Sequence, residues 1–247
     1  MGPRVAPVEE APFRLEVNGE RLGVWTCTPE QLEAFAAGRL WTEGYAAASG
    51  DFLSIQVREE SGIYVARARV PPARFALAQR ERQERAAHGC GPLHYLRCAP
   101  ELLRQRRRLL PLPPLETFPE LFRALYAAAD RYQDTGGVHA AALTDGKRLR
   151  FQAEDVGRHN VVDKVIGAAL LTGQDPCRLG LVLSARVSAD IALKCARAGI
   201  AWVASRSIPT SLAVEIAQAG ALPLVARAAG KEARVFAAEP GPLEPAR

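Results

Sequence analysis

No apolar run in this 247-residue chain approaches the roughly 18–20 residues that a membrane span requires. The opening stretch, MGPRVAPVEEAP, lacks the apolar core of a secretory signal, which predicts a cytoplasmic location with no membrane partner. The cysteines Cys27, Cys90, Cys98, Cys177 and Cys195 are odd in number and include no C-x-x-C pair. That argues against a disulfide framework and against a cysteine-rich zinc site. Neither a G-x-G-x-x-G fingerprint nor a P-loop occurs, which removes the two commonest nucleotide cradles. No internal repeat is present, so a solenoid is excluded. No groove-reading or aromatic-stacking motif accompanies the net charge of +5, so nucleic acid is not an expected partner.

What is present is an ordinary globular composition, 48% hydrophobic and 24% charged, long enough for one large domain or two smaller ones. Most of the positive charge is arginine, which suits phosphate and carboxylate recognition. Arg104, Arg106, Arg107 and Arg108 form the dense basic cluster. It reads first as a solvated helix end before Pro111, with docking to an acidic partner left open. Cys27, Cys177 and Cys195 stand among apolar or helical neighbours and read as small core residues.

Residues up to about Pro12 look untethered. Phe13–Val17 and Leu22–Thr26 predict a hairpin about Asn18-Gly19, a pair that favours primed turns. Thr28-Pro29-Glu30-Gln31 has the form of a capping box and predicts a helix to about Ala48. A second hairpin turns at Ser61-Gly62, and a short helix spans Ala73–Arg85. Residues 86–100 show no clean period and read as a loop. Pro111, Pro113 and Pro114 mark a linker, which divides the chain into 1–112 and 113–247. Beyond it, Thr117 caps a helix to about Asp130, and strands are predicted at Val138–Leu143 and Arg148–Ala153. Helices at Arg158–Leu171, Ser188–Ala198 and Pro209–Ala219 then alternate with strands at Leu179–Leu183, Ile200–Ala204 and Leu222–Ala226, with a last strand at Arg234–Ala238. Such alternation predicts a layered α/β domain with parallel pairings, preceded by a smaller α+β domain.

The densest polar segment is Glu154-Asp155-Val156-Gly157-Arg158-His159-Asn160-Val161-Val162-Asp163-Lys164. Packing alone does not require so many donors in so few residues, whereas an anionic ligand does. A solvated loop before a helix with acidic residues at its start is the plainer reading. Three more polar motifs follow the same placement: Thr135-Gly136-Gly137-Val138-His139-Ala140-Ala141, Ser184-Ala185-Arg186-Val187-Ser188-Ala189-Asp190, and Ser205-Arg206-Ser207-Ile208-Pro209-Thr210-Ser211. All precede helices, so they should gather at one sheet edge, where such folds bind ligands.

Taken in chain order, with Thr135–Ala141 first and Glu154–Lys164 second, the four motifs resemble the FdhD family, the formate dehydrogenase accessory sulfurtransferases. The resemblance extends upstream through Val17-Asn18-Gly19-Glu20 and Arg39-Leu40-Trp41-Thr42-Glu43-Gly44-Tyr45. It implies a cytidine-deaminase-like fold for the C-terminal domain. It further implies a homodimer that takes sulfur from a cysteine desulfurase and delivers it to bis-molybdopterin guanine dinucleotide for formate dehydrogenase. That cofactor would be a bound substrate, with no dedicated metal site.

Deamination itself is disfavoured by the residues. A zinc deaminase needs H-x-E and P-C-x-x-C, whereas His139 is followed by Ala140-Ala141 and Pro176-Cys177 has no second cysteine. His139 is left with two readings, a ligand contact or the filling of a polar pocket. The family's loop of the CGxCG kind falls at His88-Gly89-Cys90-Gly91-Pro92, one residue shorter and with His88 at the first cysteine position. The resemblance therefore assigns the persulfide to Cys90 alone, on a glycine-flanked segment, with His88 or His94 near enough in sequence to favour the thiolate. Cys98 could substitute for the missing thiol. Taken without the family, Cys90 reads first as an incidental loop cysteine.

The family's guanine-nucleotide stretch matches Val225, Ala226, Arg227, Ala228, Ala229 and Gly230, without the aromatic and the second basic residue expected there. Arg227 can hold a phosphate bidentately. Arg158, His159, Asn160, Lys164, Ser184, Arg186 and Ser188 are further candidate phosphate or pterin contacts, each also readable as a cap or a core hydrogen bond. A carrier that binds the same cofactor without moving sulfur is the alternative function, and His88 in place of a cysteine favours it.

Overall fold

The computed structural model describes residues 7–87, 91–98, 100–104, 106 and 109–236. The architecture is two-domain α/β, each half built on a mixed sheet. The first sheet is laid out β2-β1-β4-β3. Strand β1 (Ala11–Val17) runs antiparallel to β2 (Glu20–Cys27) and parallel to β4 (Ile63–Arg69), whose hairpin partner is β3 (Ser54–Glu60). Alternation decides its faces: Phe13, Leu15 and Val17 are fully buried while the residues between them are not. Both hairpins turn where the sequence predicts, with Asn18 and Gly19 at φ 50° and 87° and Ser61 and Gly62 at 52° and 78°.

The second sheet is laid out β10-β9-β8-β7-β5-β6. Strands β7 (Gly180–Leu183), β8 (Val203–Ser205) and β9 (Leu224–Ala226) are parallel; β5 (His139–Thr144) is antiparallel to both β7 and β6 (Leu149–Asp155), and β10 (Arg234–Val235) to β9. Helices cover both faces, which is why these strands are apolar throughout rather than alternating. Ala141, Leu143, Leu181, Leu183 and Val203 face α6 (Arg158–Leu171), α7 (Ala189–Ala198) and α8 (Ser211–Ala219). Ala140, Ala142, Val182 and Ala204 face Phe118, Leu121, Phe122 and Leu125 of α4 (Phe118–Ala127), together with Trp202.

Helix α1 (Leu32–Thr42) joins the halves. Nine of its eleven residues are buried, because one face lies on the first sheet and the opposite face on α6. Gly38 and Gly167 allow that approach: a Cβ at Gly38 would strike the Asp163 carbonyl, and one at Gly167 the Ala34 carbonyl.

Several boundaries differ from the sequence reading. Helix α1 starts at Leu32, not at Pro29, and Gln31 before it is left-handed with no side-chain cap. Thr28 is unavailable as a cap because its hydroxyl accepts from Val156 N at 3.2 Å. The helix also ends early, at Thr42 rather than near Ala48, closed by Gly44 at φ 88° and by Tyr45 N donating to Leu40 O at 2.8 Å. Within 86–100, read as a loop, Gly91–Cys98 is a helix, α3, anchored by the fully buried Tyr95. Proline suits its first turn, and eight residues are too few to display a period. Helix α2 runs Pro72–Ala87, a short α5 fills Asp130–Thr135 where no helix was expected, and β8 begins at Val203 rather than Ile200. Strand β1 begins one residue before Pro12, so the extended chain is tethered from Ala11.

Candidate functional site

The start of β5 and the ends of β6, β7 and β8 lie at one edge of the second sheet, so the polar motifs meet there. His139 pairs in register with Asp155. Ala140 N donates to Ser184 Oγ at 2.9 Å, joining the first and third motifs. His159 Nε2 lies 3.1 Å from Ser188 Oγ, joining the second and third. Thr210 N donates to Val187 O at 3.1 Å, and Ser205 Oγ to Ala185 O at 2.8 Å, which brings in the fourth. The 225–230 stretch continues the rim, since Arg227 N donates to Ser207 O and Ala228 N to Ser205 O.

The EDVGRHN segment divides into two roles. Asp155 is fully buried and accepts from Thr28 N, Gly157 N and Asn160 Nδ2, with Lys164 Nζ at 2.6 Å. Lys164 is likewise fully buried and also donates to the carbonyls of Thr28 and Glu154. Its three protons therefore have three protein acceptors, and none remains for a ligand. Asn160 donates to Thr26 O as well as to Asp155. These side chains bind the second sheet to the first.

Arg158 and His159 turn the other way. Both are half-buried, and the Arg158 Nε has no acceptor. Burial lowers the His159 pKa below its ordinary value, and the charges of Arg158 and Lys194 lower it further. His139 is lowered by burial and then by Arg158. Two neutral imidazoles beside a guanidinium can each accept one hydrogen bond and donate another, a suitable lining for phosphate or pterin groups. Arg186 is exposed on the same rim, and Arg206, also exposed, donates to Tyr132 OH at 2.8 Å.

In the 225–230 stretch, Val225, Ala226 and Ala228 are buried, and the amides of Arg227, Ala228 and Gly230 donate to protein carbonyls. Arg227 is the outward member, left-handed at φ 51°, with Nη1 2.8 Å from Glu232 Oε2. It lines a cleft of about 190 Å³ with Ile208, Arg234 and Phe236. A second basic side chain and an aromatic ring, both absent from 225–230 itself, thus stand beside Arg227 on β10 and its flank. Sequence reasoning missed them, although an extended segment puts Arg234 and Phe236 on one side by alternation.

Cys90, with His88 and Gly89, lies outside the described residues. Cys27, Cys177 and Cys195 are buried and outside any disulfide. Burial, then Asp155, pushes the Cys27 thiol up to about 12, far from a thiolate at neutral pH. Among the described residues no group of His, Cys, Asp and Glu is placed to hold a metal ion, and no helix is long and apolar enough to cross a membrane.

Known proteins match this arrangement over most of its length. The chain is 38% identical over 228 residues to the sulfur carrier protein FdhD of Burkholderia cenocepacia, covering 88% of this chain and 82% of that one. It is 32% identical over 215 residues to the sulfur carrier protein FdhD of Bacillus subtilis, covering 85% and 80%. A Desulfotalea psychrophila protein assigned as a formate dehydrogenase accessory protein has a crystal structure that superposes with a TM-score of 0.72 at 27% identity, over 93% of this chain and 87% of that one. Residues 8–241, which hold every motif of the rim and both sheets, match the FdhD/NarQ family, and the chain belongs to it.

Proposed function

We propose that this protein is a sulfurtransferase that carries sulfur on Cys90 from a cysteine desulfurase to bis-molybdopterin guanine dinucleotide, for the activation of formate dehydrogenase. The observation that carries the reading is the cleft of Arg227, Arg234, Phe236 and Ile208 at one end of a rim that also holds Arg158, His139, His159 and Ser188. Two guanidiniums suit a diphosphate, and an aromatic ring beside them suits a purine face. Val225, Ala226 and Ala228 supply the buried floor, while Ala229 and Gly230 leave the chain narrow where the nucleotide lies.

Sulfur loading is a thiol exchange. The Cys90 thiolate attacks the terminal sulfur of the desulfurase persulfide; that S–S bond breaks, a Cys90–S–S bond forms, and the desulfurase cysteine leaves as thiolate. Onward transfer breaks the Cys90 S–S bond and returns the Cys90 thiolate; the outer sulfur is at the sulfane level, and the two electrons that bring it to sulfide would come from the metal of the cofactor in its reduced state. With His88 at the other thiol position, Cys90 both receives and donates. We further read the six-stranded sheet as a cytidine-deaminase-like domain, place the domain boundary at 112/113, and take the working form to be a cytoplasmic homodimer.

Incubation with desulfurase and cysteine should add the mass of one sulfur atom to Cys90. Cys90→Ala should abolish client activation with the fold intact, while Cys98→Ala should have a much smaller effect. The competing reading is a carrier that delivers cofactor without moving sulfur, favoured by the histidine at position 88. Normal activation of the client by Cys90→Ala would decide for the carrier.

A further inference from the structure

Residues 88–90 are flanked in sequence by α2 and α3, and one guanidinium from the second half of the molecule holds both helices. Arg197 stands near the end of α7, its side chain 9% exposed. Its Nη2 lies 3.0 Å from Glu81 Oε2 on α2, and its Nη1 donates to Tyr95 OH on α3. The Tyr95 hydroxyl in turn lies 3.4 Å from Glu81 Oε2, and the guanidinium carbon of Arg197 sits 4.9 Å from the Tyr95 ring centroid. Arg85 approaches the same ring at 5.9 Å while its Nη2 pairs with Glu43 at 2.8 Å. Gly44, at φ 88°, is the residue whose missing side chain leaves room for Arg197, since a Cβ there would strike Nη2.

The placement is more specific than a generic ion pair. Glu81 precedes residues 88–90 and Tyr95 follows them, so the two helices that lead into and out of the Cys90 segment share one clasp. That clasp is mounted on α7, whose other end is Ser188, hydrogen-bonded to His159 in the rim. A ten-residue helix is about 15 Å long and stiff, so it holds the clasp at a fixed distance from the rim. Tyr95 is fully buried and the side chains of Arg197 and Glu81 are each less than a fifth exposed, so either charge without its partner is costly.

We propose that Arg197 is a positioning residue for sulfur transfer: by clasping Glu81 and Tyr95 it fixes α2 and α3, the helices that flank Cys90 in sequence, relative to the cofactor rim. The role rests on the sulfur-carrying reading above. It requires no contact between Arg197 and sulfur, only that the helices flanking Cys90 keep one arrangement. Truncating Arg197 alone leaves Glu81 as a lone, largely covered charge, so the informative variant removes both charges, Glu81→Gln with Arg197→Met. Arg197→Lys is the conservative control.

Deuterium uptake and the rate of sulfur loading on Cys90 by a desulfurase should be measured on the full chain. The double variant should take up deuterium faster in α2 and α3 and not in α6 or β5–β9. Its maximal loading rate should fall by about tenfold or more, since displacing a reacting group by an ångström is that costly. The half-saturating desulfurase concentration and the thermal shift from GDP should stay as in the parent, and Arg197→Lys should recover part of the rate. Unchanged loading with faster uptake overturns the positioning role and leaves a merely structural clasp. Unchanged uptake overturns the clasp itself. If the parent protein gains no sulfur, the sulfur-carrying reading has failed, and the positioning role that rests on it falls too.

Discussion

The junction of α1, α6 and α7 and the rim at the sheet edge are both polar, yet they use their charges in opposite ways. At the junction Asp163 is fully buried: Lys194 Nζ lies 2.8 Å from each of its oxygens, Thr42 Oγ1 donates at 2.9 Å, and Arg39 Nη1 lies 3.3 Å away while stacking 4.0 Å over Trp25. Asp155 at the end of β6 and Lys164 on α6 repeat the pattern as a second buried pair, 2.6 Å apart. At the rim, Arg158, Arg186, Arg227 and Arg234 reach water. Saturated donors hold a fold together, whereas spare donors are available to a ligand. A single eleven-residue motif contributes to both, with Asp155, Asn160, Asp163 and Lys164 in the frame and Arg158 and His159 on the rim.

Removing a frame charge should therefore produce the largest effect in the molecule. Asp163→Ala strands Lys194, which is 7% exposed, and should lower unfolding free energy by about 3–5 kcal/mol. Asp163→Leu with Lys194→Met should recover most of that loss, because it removes both charges while filling similar volume. Urea unfolding of the three proteins measures it. A cost below about 1 kcal/mol for Asp163→Ala would place the junction with the exposed ion pairs and erase the contrast.

This division explains what could be read without coordinates. Hairpins, the helix at Arg158–Leu171 and the alternating strands and helices after it follow from local turn chemistry and periodicity, and they appear as expected. The gathering of the motifs at one edge was expected from a position before helices, which three of the four occupy; the Thr135–Ala141 motif runs into β5 instead and reaches the edge because β5 is antiparallel to β7. The separation of Lys164 from His159 did not, since both lie on one helix and only the position of α1 decides which side is sealed. Thr28 shows the same limit: its capping pattern is locally sound, but Val156 and Asp155 from a distant segment claim its hydrogen bonds. Arg234 and Phe236 escaped notice because they adjoin Arg227 through the β9–β10 pairing rather than along the chain.

Rim substitutions should invert the frame result, leaving stability unchanged within about 0.5 kcal/mol while weakening ligand binding. Arg234→Ala should cost GDP affinity about tenfold or more, as expected for the loss of a charge-assisted hydrogen bond. Phe236→Ala should cost about 1–3 kcal/mol if the ring stacks on the base, and should narrow the preference for GDP over inorganic pyrophosphate. Calorimetric titration of each variant separates the two contributions. Equal losses for GDP and pyrophosphate in Phe236→Ala would reduce the cleft to an anion site without base recognition.

The smallest expected effect concerns pH, where rim and frame can be told apart on one residue. Burial and the neighbouring Arg158 and Lys194 charges keep His159 below its ordinary pKa of about 6.5. The unfolded chain therefore binds more protons than the folded one between the folded pKa and about 6.5, and stability rises with pH across that window. The stabilisation is fully present above the unfolded value and is lost as pH falls through the folded one. His159→Gln should keep a partner for Ser188 while flattening part of this slope in urea midpoints taken between pH 7.5 and 5.5; His139→Gln should remove a further part, since its pKa is lowered in the same direction. Affinity for GDP should move with the opposite sign, because an imidazolium that destabilises the empty rim attracts phosphate. Acidification should thus weaken the fold and strengthen nucleotide binding together. If His159→Gln flattens the stability slope and leaves the pH dependence of GDP affinity untouched, His159 belongs with Asp155 and Lys164 in the frame, and the rim begins at Arg158.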